Sequence, residues 1–436
     1  MYLCHKLELD PTELDIAILE SQSKIANNLY NRLLEMTRKE MDYYKENQTH
    51  LEFNPLSSYD LRNQVPQIKQ EHQFYKTLYS SVAKNVALRL GESIHNWLDY
   101  LKHKDKYPNK VGFPHFRSLK EKGFFSLLYE DKFVGYKIID NKLSLSFGRD
   151  EDKKRIKALI QFKRKFNIDL NSIRTLEIVK DRETFFACFA CEVPDLEKKE
   201  IKKVIAFDPN HKNLAVGYSS DQETLEIKNL YFIKEFDKRI DELKSKRDKC
   251  KKLSRRWRYL NKILLDLYRV KREQIQVALR TISNYLCKNY DLIAIGDYVP
   301  SKQKYKNMNR AMINQTHIGE FRLILEHICE RSGKTYFKYD EYNTTKTCNN
   351  CGHIGKKLDP TIREWTCDEC GEFHLRDENS AQNGYVITTK EYKLPCSGHR
   401  DILSRCICWF NGNAIIRQEI KGIKENDTSN LIKSIA

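Results

Sequence analysis

The sequence predicts a multidomain α/β protein, and three observations carry that expectation. Strand-length apolar runs alternate with helix-period segments beyond about residue 200, paired cysteines interrupt that alternation, and 436 residues exceed one ordinary core. A hydrophobic fraction of 40% with 11% aromatics supplies apolar material for two to four such cores. The formal charge of +17 exceeds what solubility needs and points to a polyanionic partner, nucleic acid before membrane surface. The opening MYLCHKLELDPTELD lacks a basic segment followed by an apolar run, and no stretch approaches eighteen consecutive apolar residues, so an intracellular, soluble chain is expected. Thirteen cysteines in so long a chain without a secretory leader argue against a disulfide framework.

From 12 to 105 the chain reads helical, with Val82, Val86, Leu90, Ile94 and Trp97 recurring every three or four residues. Pro108, Gly112 and Pro114 break that pattern, and a β-rich stretch over 106–200 follows, in which KLSLSFG, IRTLEIVK and TFFACFACEV have strand length. Cys188 and Cys191 sit at odd spacing on such a strand and so face opposite sides, which disfavours a shared metal. VIAFDPNHKNLAVGYSS then reads as a buried strand, a turn and a second strand. Residues 238–288 hold 17 Lys plus Arg against 5 Asp plus Glu at helical spacing. This is either a solvated helix pair or a wall that phosphates neutralise, with Lys251, Arg255, Arg256 and Arg258 as candidate contacts. Lys302, Lys304 and Arg310 in the loop after strand YDLIAIGDY join that set, and Trp257, Tyr259 and Tyr305 serve either the core or base stacking. A helix, a strand ending in YDEY, the cysteine cluster and a helix beginning at Asp377 come next. The tail from 390 to 436 carries no assignable role; its Cys396, His399, Cys406 and Cys408 match no known metal spacing.

The most specific signal is TCNNCGHIGKKLDPTIREWTCDECG. Cys348 and Cys351 form one CxxC, and Cys367 and Cys370 form another after fifteen intervening residues. Four thiolates close a tetrahedron around structural Zn²⁺, and Gly352 and Gly371 follow each pair where the turn requires them.

Two aspartates are candidates for chemistry. Asp208 ends the apolar run VIAF, which puts it at a strand tip, either as a metal ligand or as a turn-former before Pro209 and Asn210. Asp377 in HLRDENSAQN opens a helix, either as its cap or as a second ligand, and Ser380 and Ala381 are small enough for close packing.

The order of Asp208 on a first strand, a basic helical insertion, a fourth strand, two cysteine knuckles and RDENSA directly after them resembles TnpB, Fanzor and the compact type V CRISPR effectors. The resemblance extends to GFPHFRS and the TLEIVKDRETFFACFACEV hairpin, which look like that family's wedge, and leaves only the tail unmatched. It implies a RuvC-like RNase H fold with an inserted zinc ribbon, an N-terminal helical recognition lobe and a β-barrel wedge. By that likeness residues 1–11 are the first wedge strand, 12–105 the recognition domain, 106–200 the wedge, and 201–344 the nuclease domain with a basic insertion over 234–288. Residues 345–375 are then the ribbon and 376–389 the last nuclease helix.

The family's second acid has no counterpart on its usual strand, because Gly296 stands in its position. Neighbouring strands end side by side, so Glu341, at the end of the next strand, can take over, as some branches of the family do; Asp297 and Asp340 are reserves. The resemblance therefore implies Asp208, Glu341 and Asp377 as catalytic ligands of two Mg²⁺ ions. It also implies a guide RNA transcribed beside the gene, a double-stranded DNA target with a short adjacent motif, no membrane, and residence in the cytoplasm or nucleoid, or in a nucleus. The alternative is a guide-dependent repressor whose nuclease is lost, with Gly296 as its motive.

Overall fold

The computed structural model describes residues 2–48, 51–107, 109–119, 124–149, 152–198, 200–298, 316–356, 359, 362–395 and 401–420. The chain divides into two units, 1–194 and 195–436.

In the first unit, strand β1 (Tyr2–Asp10) is followed by helices α1 (Glu13–Asn47), α2 (Ser58–Glu71) and α3 (Ser80–Lys102). A reciprocal cap starts α1: the Asp15 N–H donates to Thr12 Oγ1 and the Thr12 N–H to the Asp15 carboxylate. Six strands follow, β2 (Ser126–Tyr129), β3 (Tyr136–Ile139), β4 (Lys142–Arg149), β5 (Arg155–Phe162), β6 (Ile173–Asp181) and β7 (Thr184–Glu192). They form one sheet in the order β2-β6-β7-β1-β5-β4-β3. Strand β1 is thus internal, pairing antiparallel with β7 through residues 2–8 and with β5 through Leu9 and Asp10. Helices and sheet bury one common cluster, in which Leu29, Leu33 and Leu90 join Leu145, Ile160 and Phe189. Cys191 is buried there and Cys188 is half-exposed, as their odd spacing requires.

The second unit contains β8 (Val204–Asp208), β9 (Ala215–Ser219), β10 (Glu223–Ile227), α4 (Phe232–Asp248), α5 (Arg255–Asn289) and β11 (Leu292–Gly296). It continues with α5's successor α6 (Ile318–Arg331), then β12 (Thr335–Tyr339), β13 (Glu364–Thr366), β14 (Phe373–Leu375), α7 (Arg376–Glu391), β15 (Ser404–Phe410) and β16 (Ile415–Glu419). The main sheet runs β12-β11-β8-β9-β10-β15-β16. Strands β8, β11 and β12 are mutually parallel, and β9 lies antiparallel between β8 and β10. Helices cover both faces, which explains why VIAFD and LIAIG are continuously apolar rather than alternating. On one face Ile205, Phe207, Ile293 and Ile295 pack with α4, α5 and α6; on the other Val204, Ala206, Leu292 and Ala294 pack with α7.

The featureless tail turns out to be part of this sheet, since β15 pairs parallel to β10 from Glu223↔Ser404 to Ile227↔Cys408. Cys406 and Cys408 are buried in the apolar core, not arranged around a metal, while Cys396 and His399 lie outside the described residues. The basic stretch is a helix pair, with Ser254 Oγ accepting the Trp257 N–H at the start of α5. No helix among the described residues is long and apolar enough to cross a membrane.

Helix α7 reaches the sheet only because residue 384 is glycine: a Cβ there would lie 2.4 Å from the Tyr339 ring. Gly384→Ala should therefore cost about 1–3 kcal/mol, read as a lower urea midpoint, whereas an unchanged midpoint would mean that α7 does not press on Tyr339.

Candidate active site

The two-residue period of a strand decides which side chains meet. On β8, Val204 and Ala206 face α7, so Asp208 does as well; on β11, Leu292 and Ala294 do, so Gly296 follows. On β12 it is Tyr339, opposite Gly296 in register, and Glu341 is two residues further on. Three adjacent parallel strands therefore end with 208, 296 and 341 on one face of the sheet, under the first turn of α7, which carries Asp377.

Asp208 is only 5% exposed, and its Oδ1 accepts a 2.7 Å hydrogen bond from Ser380 Oγ on α7. Burial, and then the negative charge of Asp377, push its carboxyl up to about 7. Glu341 occupies the space that a side chain at 296 would need: a Cβ on Gly296 would lie 1.8 Å from Glu341 Oε1 and 2.4 Å from its Cδ and Cγ. Its carboxyl is raised to about 9, first by burial and then by Asp208. Oε1 is buried without a hydrogen-bond partner, and the Tyr298 amide donates to the carboxylate. Arg322 of α6 donates to the carbonyls of Gly296 and of Tyr298, the latter at 2.6 Å, and its positive charge opposes the rise at Glu341. The two reserve acids are engaged with backbone: Asp297 Oδ1 accepts the Glu341 N–H at 3.2 Å and Asp340 Oδ1 the Tyr342 N–H at 2.8 Å.

Asp377 is held by residues that sequence reasoning did not single out. Arg363 Nη1 donates to both of its carboxylate oxygens at 3.2 Å, and Asn210 Nδ2 to Oδ2 at 3.3 Å. Arg363 Nη2 also donates to His211 Nε2 at 3.1 Å, which fixes that imidazole as neutral with its proton on Nδ1. Arg363 lies in the segment between the cysteine pairs, and no spacing rule picks it out of IREW.

Two buried carboxyls held above the usual range, Asp208 by burial and the charge of Asp377, and Glu341 by burial and the charge of Asp208, with one Glu341 oxygen left without a donor, suit a divalent cation. Asp208, Glu341 and Asp377 are the residues that would hold it. They are not yet gathered, however: among the described residues the cysteines alone form a group of three or more ligand atoms within 4.8 Å of one another.

The cysteine cluster is assembled. Cys348 Sγ lies 3.6 Å from Cys370 Sγ, and Cys351 Sγ 3.7 Å from Cys367 Sγ. Those separations match the edge of roughly 3.8 Å that a thiolate tetrahedron around zinc requires at Zn–S of about 2.3 Å. Gly352 and Gly371 take φ of 80° and 75°, and the Gly352 and Gly371 amides donate back to Cys348 and Cys367 O to close each knuckle. His374 Nε2 is 3.0 Å from Cys348 Sγ, and its ring packs tilted against Trp365, with centroids 4.6 Å apart. The loop entering the first knuckle is tied to α7: Asn379 and Asn383 Nδ2 donate to the carbonyls of Thr344 and Thr347 at 2.7–3.3 Å, and Asn379 Oδ1 accepts the Asn349 N–H at 3.0 Å. Thr344 in turn donates to the Glu341 carbonyl through both N and Oγ1.

Lys251, Arg255, Arg256 and Arg258 are exposed at the start of α5, with no acidic partner among the described residues. Tyr259 is 64% exposed beside them, whereas Trp257 is half-buried under Arg247. Lys302, Lys304, Tyr305 and Arg310 lie outside the described residues.

Residues 319–383 match the family model described as "Cas12f1-like, TNB domain". Over 221 residues, 48% of this chain and 44% of the relative, the sequence is 28% identical to "Putative transposase R186" of Acanthamoeba polyphaga mimivirus. Over 107 residues, 24% of this chain and 26% of the relative, it is 35% identical to "Putative RNA-guided DNA endonuclease" of Streptomyces pristinaespiralis. Other proteins of the same virus that it matches are named TnpB-like. The chain spans less than half the length of these curated relatives. Among solved structures, the fold is similar to that in the cryo-EM structure of the Cas12f1-sgRNA-target DNA complex, with a TM-score of 0.56 at 14% identity, over 85% of this chain and 82% of that one.

Two measurements follow. With metal chelated, Asp208 binds a proton more tightly folded than unfolded, so its contribution to stability is full below about pH 4 and is lost as pH rises through about 7. Asp208→Asn removes that loss: its thermal midpoint should gain on the wild type between pH 5 and 8, and a constant difference would refute the raised carboxyl. Metal analysis of purified chain should return about one zinc, which Cys370→Ser releases together with cooperative melting of the ribbon; zinc-free chain with unchanged thermal unfolding would count against a structural site.

Proposed function

Because the chain belongs to the TnpB/Cas12-like family, we propose that it is an RNA-guided DNA endonuclease of transposon origin. The observation that carries this reading is Glu341 filling the cradle left by Gly296 beside Asp208. On this reading the glycine accompanies a relocated acid, which favours the nuclease over a nuclease-dead repressor. The sheet order β10-β9-β8-β11-β12 supports an RNase H-like core with the ribbon inserted after β12. In the same reading residues 12–105 are the recognition domain, and residues 1–11 with 106–200 the wedge.

Guide RNA would select the DNA by base pairing, while the protein supplies positive charge and shape. The exposed Lys251, Arg255, Arg256 and Arg258 would contact phosphates, as would Lys302, Lys304 and Arg310. Asp208, Glu341 and Asp377 would hold two Mg²⁺ ions, which supply an activated water and charge neutralisation at the leaving oxygen. The chain's own residues prepare that site. Ser380 orients Asp208, Arg322 braces the loop that cradles Glu341, and Arg363 holds Asp377 until a cation draws it toward the other acids. Once displaced, the Arg363 guanidinium is left facing the phosphate path.

The test is to express the gene with its flanking DNA, sequence the RNA that copurifies, and offer the complex a matching duplex behind a randomised stretch, with Mg²⁺. Wild type should cut, while Asp208→Ala, Glu341→Ala, Asp377→Ala and Gly296→Ala should bind the duplex without cutting. Gly296→Glu combined with Glu341→Ala should cut above the Glu341→Ala background, because it returns a carboxylate to the same space. Tight RNA-dependent binding by wild type with no cutting would reject the nuclease in favour of the repressor.

A further inference from the structure

Strand β15 belongs to the part of the sequence without any recognisable motif, yet it reaches the site. Its pairing with β10 directs Cys406, Cys408 and Phe410 into the core beneath α4 and α5. By strand alternation Arg405 emerges on the opposite face, the one α7 covers. There its Nε donates to Glu378 Oε1 at 2.9 Å and its Nη2 to Oε2 at 3.1 Å, a two-pronged pair with the Glu378 side chain only 15% exposed. Glu378 is the neighbour of Asp377 in the first turn of α7, and the N-cap position of that helix, Leu375, makes no side-chain capping hydrogen bond. The start of α7 is therefore oriented by tertiary contacts, and the planar Arg405 fork fixes direction in a way that a single-point cation does not. A second anchor keeps β15 in place: Arg417 of β16 donates to Glu223 at the head of β10.

We propose that Arg405 is a positioning residue for the acidic site, holding the first turn of α7 through Glu378 so that Asp377 is presented to Asp208 and the metal. The proposal rests on the nuclease reading for its consequence, but its immediate effect is on metal binding. In the guide-loaded full chain, Arg405→Lys and Glu378→Gln should each slow single-turnover cleavage about tenfold. Both should leave affinity for the target duplex unchanged and shift the Mg²⁺ dependence to higher concentration. The RNA-free chain, titrated calorimetrically with Mn²⁺ alone, should lose affinity by a similar factor. The double variant should lose no more than the worse single, because both changes break one link. Wild-type Mn²⁺ affinity in the single variants would overturn the proposal, as would losses that simply add in the double variant. A proportional fall in duplex affinity and thermal midpoint would reduce Arg405 to a structural role and overturn it too. If wild type does not cut but Mn²⁺ affinity still falls as described, positioning stands and the nuclease reading fails.

Discussion

Carboxyl groups lie where adjacent apolar strands end, and the polar contacts around them answer one electrostatic problem. Carboxyl groups buried at a sheet edge are costly unless donors or cations meet them. Ser380 meets Asp208, Arg363 and Asn210 meet Asp377, and Arg322 lies close enough to Glu341 to favour its ionised form. What these contacts leave unmet, an orphan oxygen on Glu341 and an Asp208 carboxyl pushed up to about 7, is a deficit that the proposed divalent cation would fill.

The cysteine cluster gains a purpose from the same arrangement. Its first knuckle and α7 share Asn379, Asn383 and Thr344, so folding the ribbon sets the loop from which Glu341 hangs and the helix on which Asp377 stands. A metal with no chemical role can thereby govern geometry at a second site through a short, largely buried set of hydrogen bonds.

Strand identity and the cysteine cluster were legible because each rests on a local rule, apolar run length or CxxC spacing, while the three proposed acids came from the strand tip of Asp208 and from the family resemblance. Glu341 could be named despite Gly296 because neighbouring strands end side by side and some branches of the resembled family displace that acid; that 208, 296 and 341 share a face needed the register of the sheet. Arg363, Arg322 and Arg405 were not legible, since each acts on a partner 14 to 27 residues away, and one arginine among 77 basic residues carries no local signature. The tail was opaque for a related reason. SRCICWF is a good strand, but nothing within it says that its partner is β10. The helical and β-rich stretches of the first unit were distinguishable by period, yet their common core was not, because period does not reveal which faces meet.

Both large sheets contain strands recruited from far along the chain. Tyr2 pairs opposite Glu192, and Thr224 beside Arg405. Neither sheet can be completed locally, so loop-closure entropy must be met late and folding should be slow compared with the helical segments between. During synthesis β1 emerges before its partner β7 and waits while α1, α2 and α3 are made, and β10 leaves the ribosome with one edge unpaired until β15 follows. An exposed strand edge of that kind invites pairing with another chain. The order in which the ribosome delivers these strands therefore sets the interval during which the protein is most prone to aggregate, and slow translation before residue 404 would lengthen it.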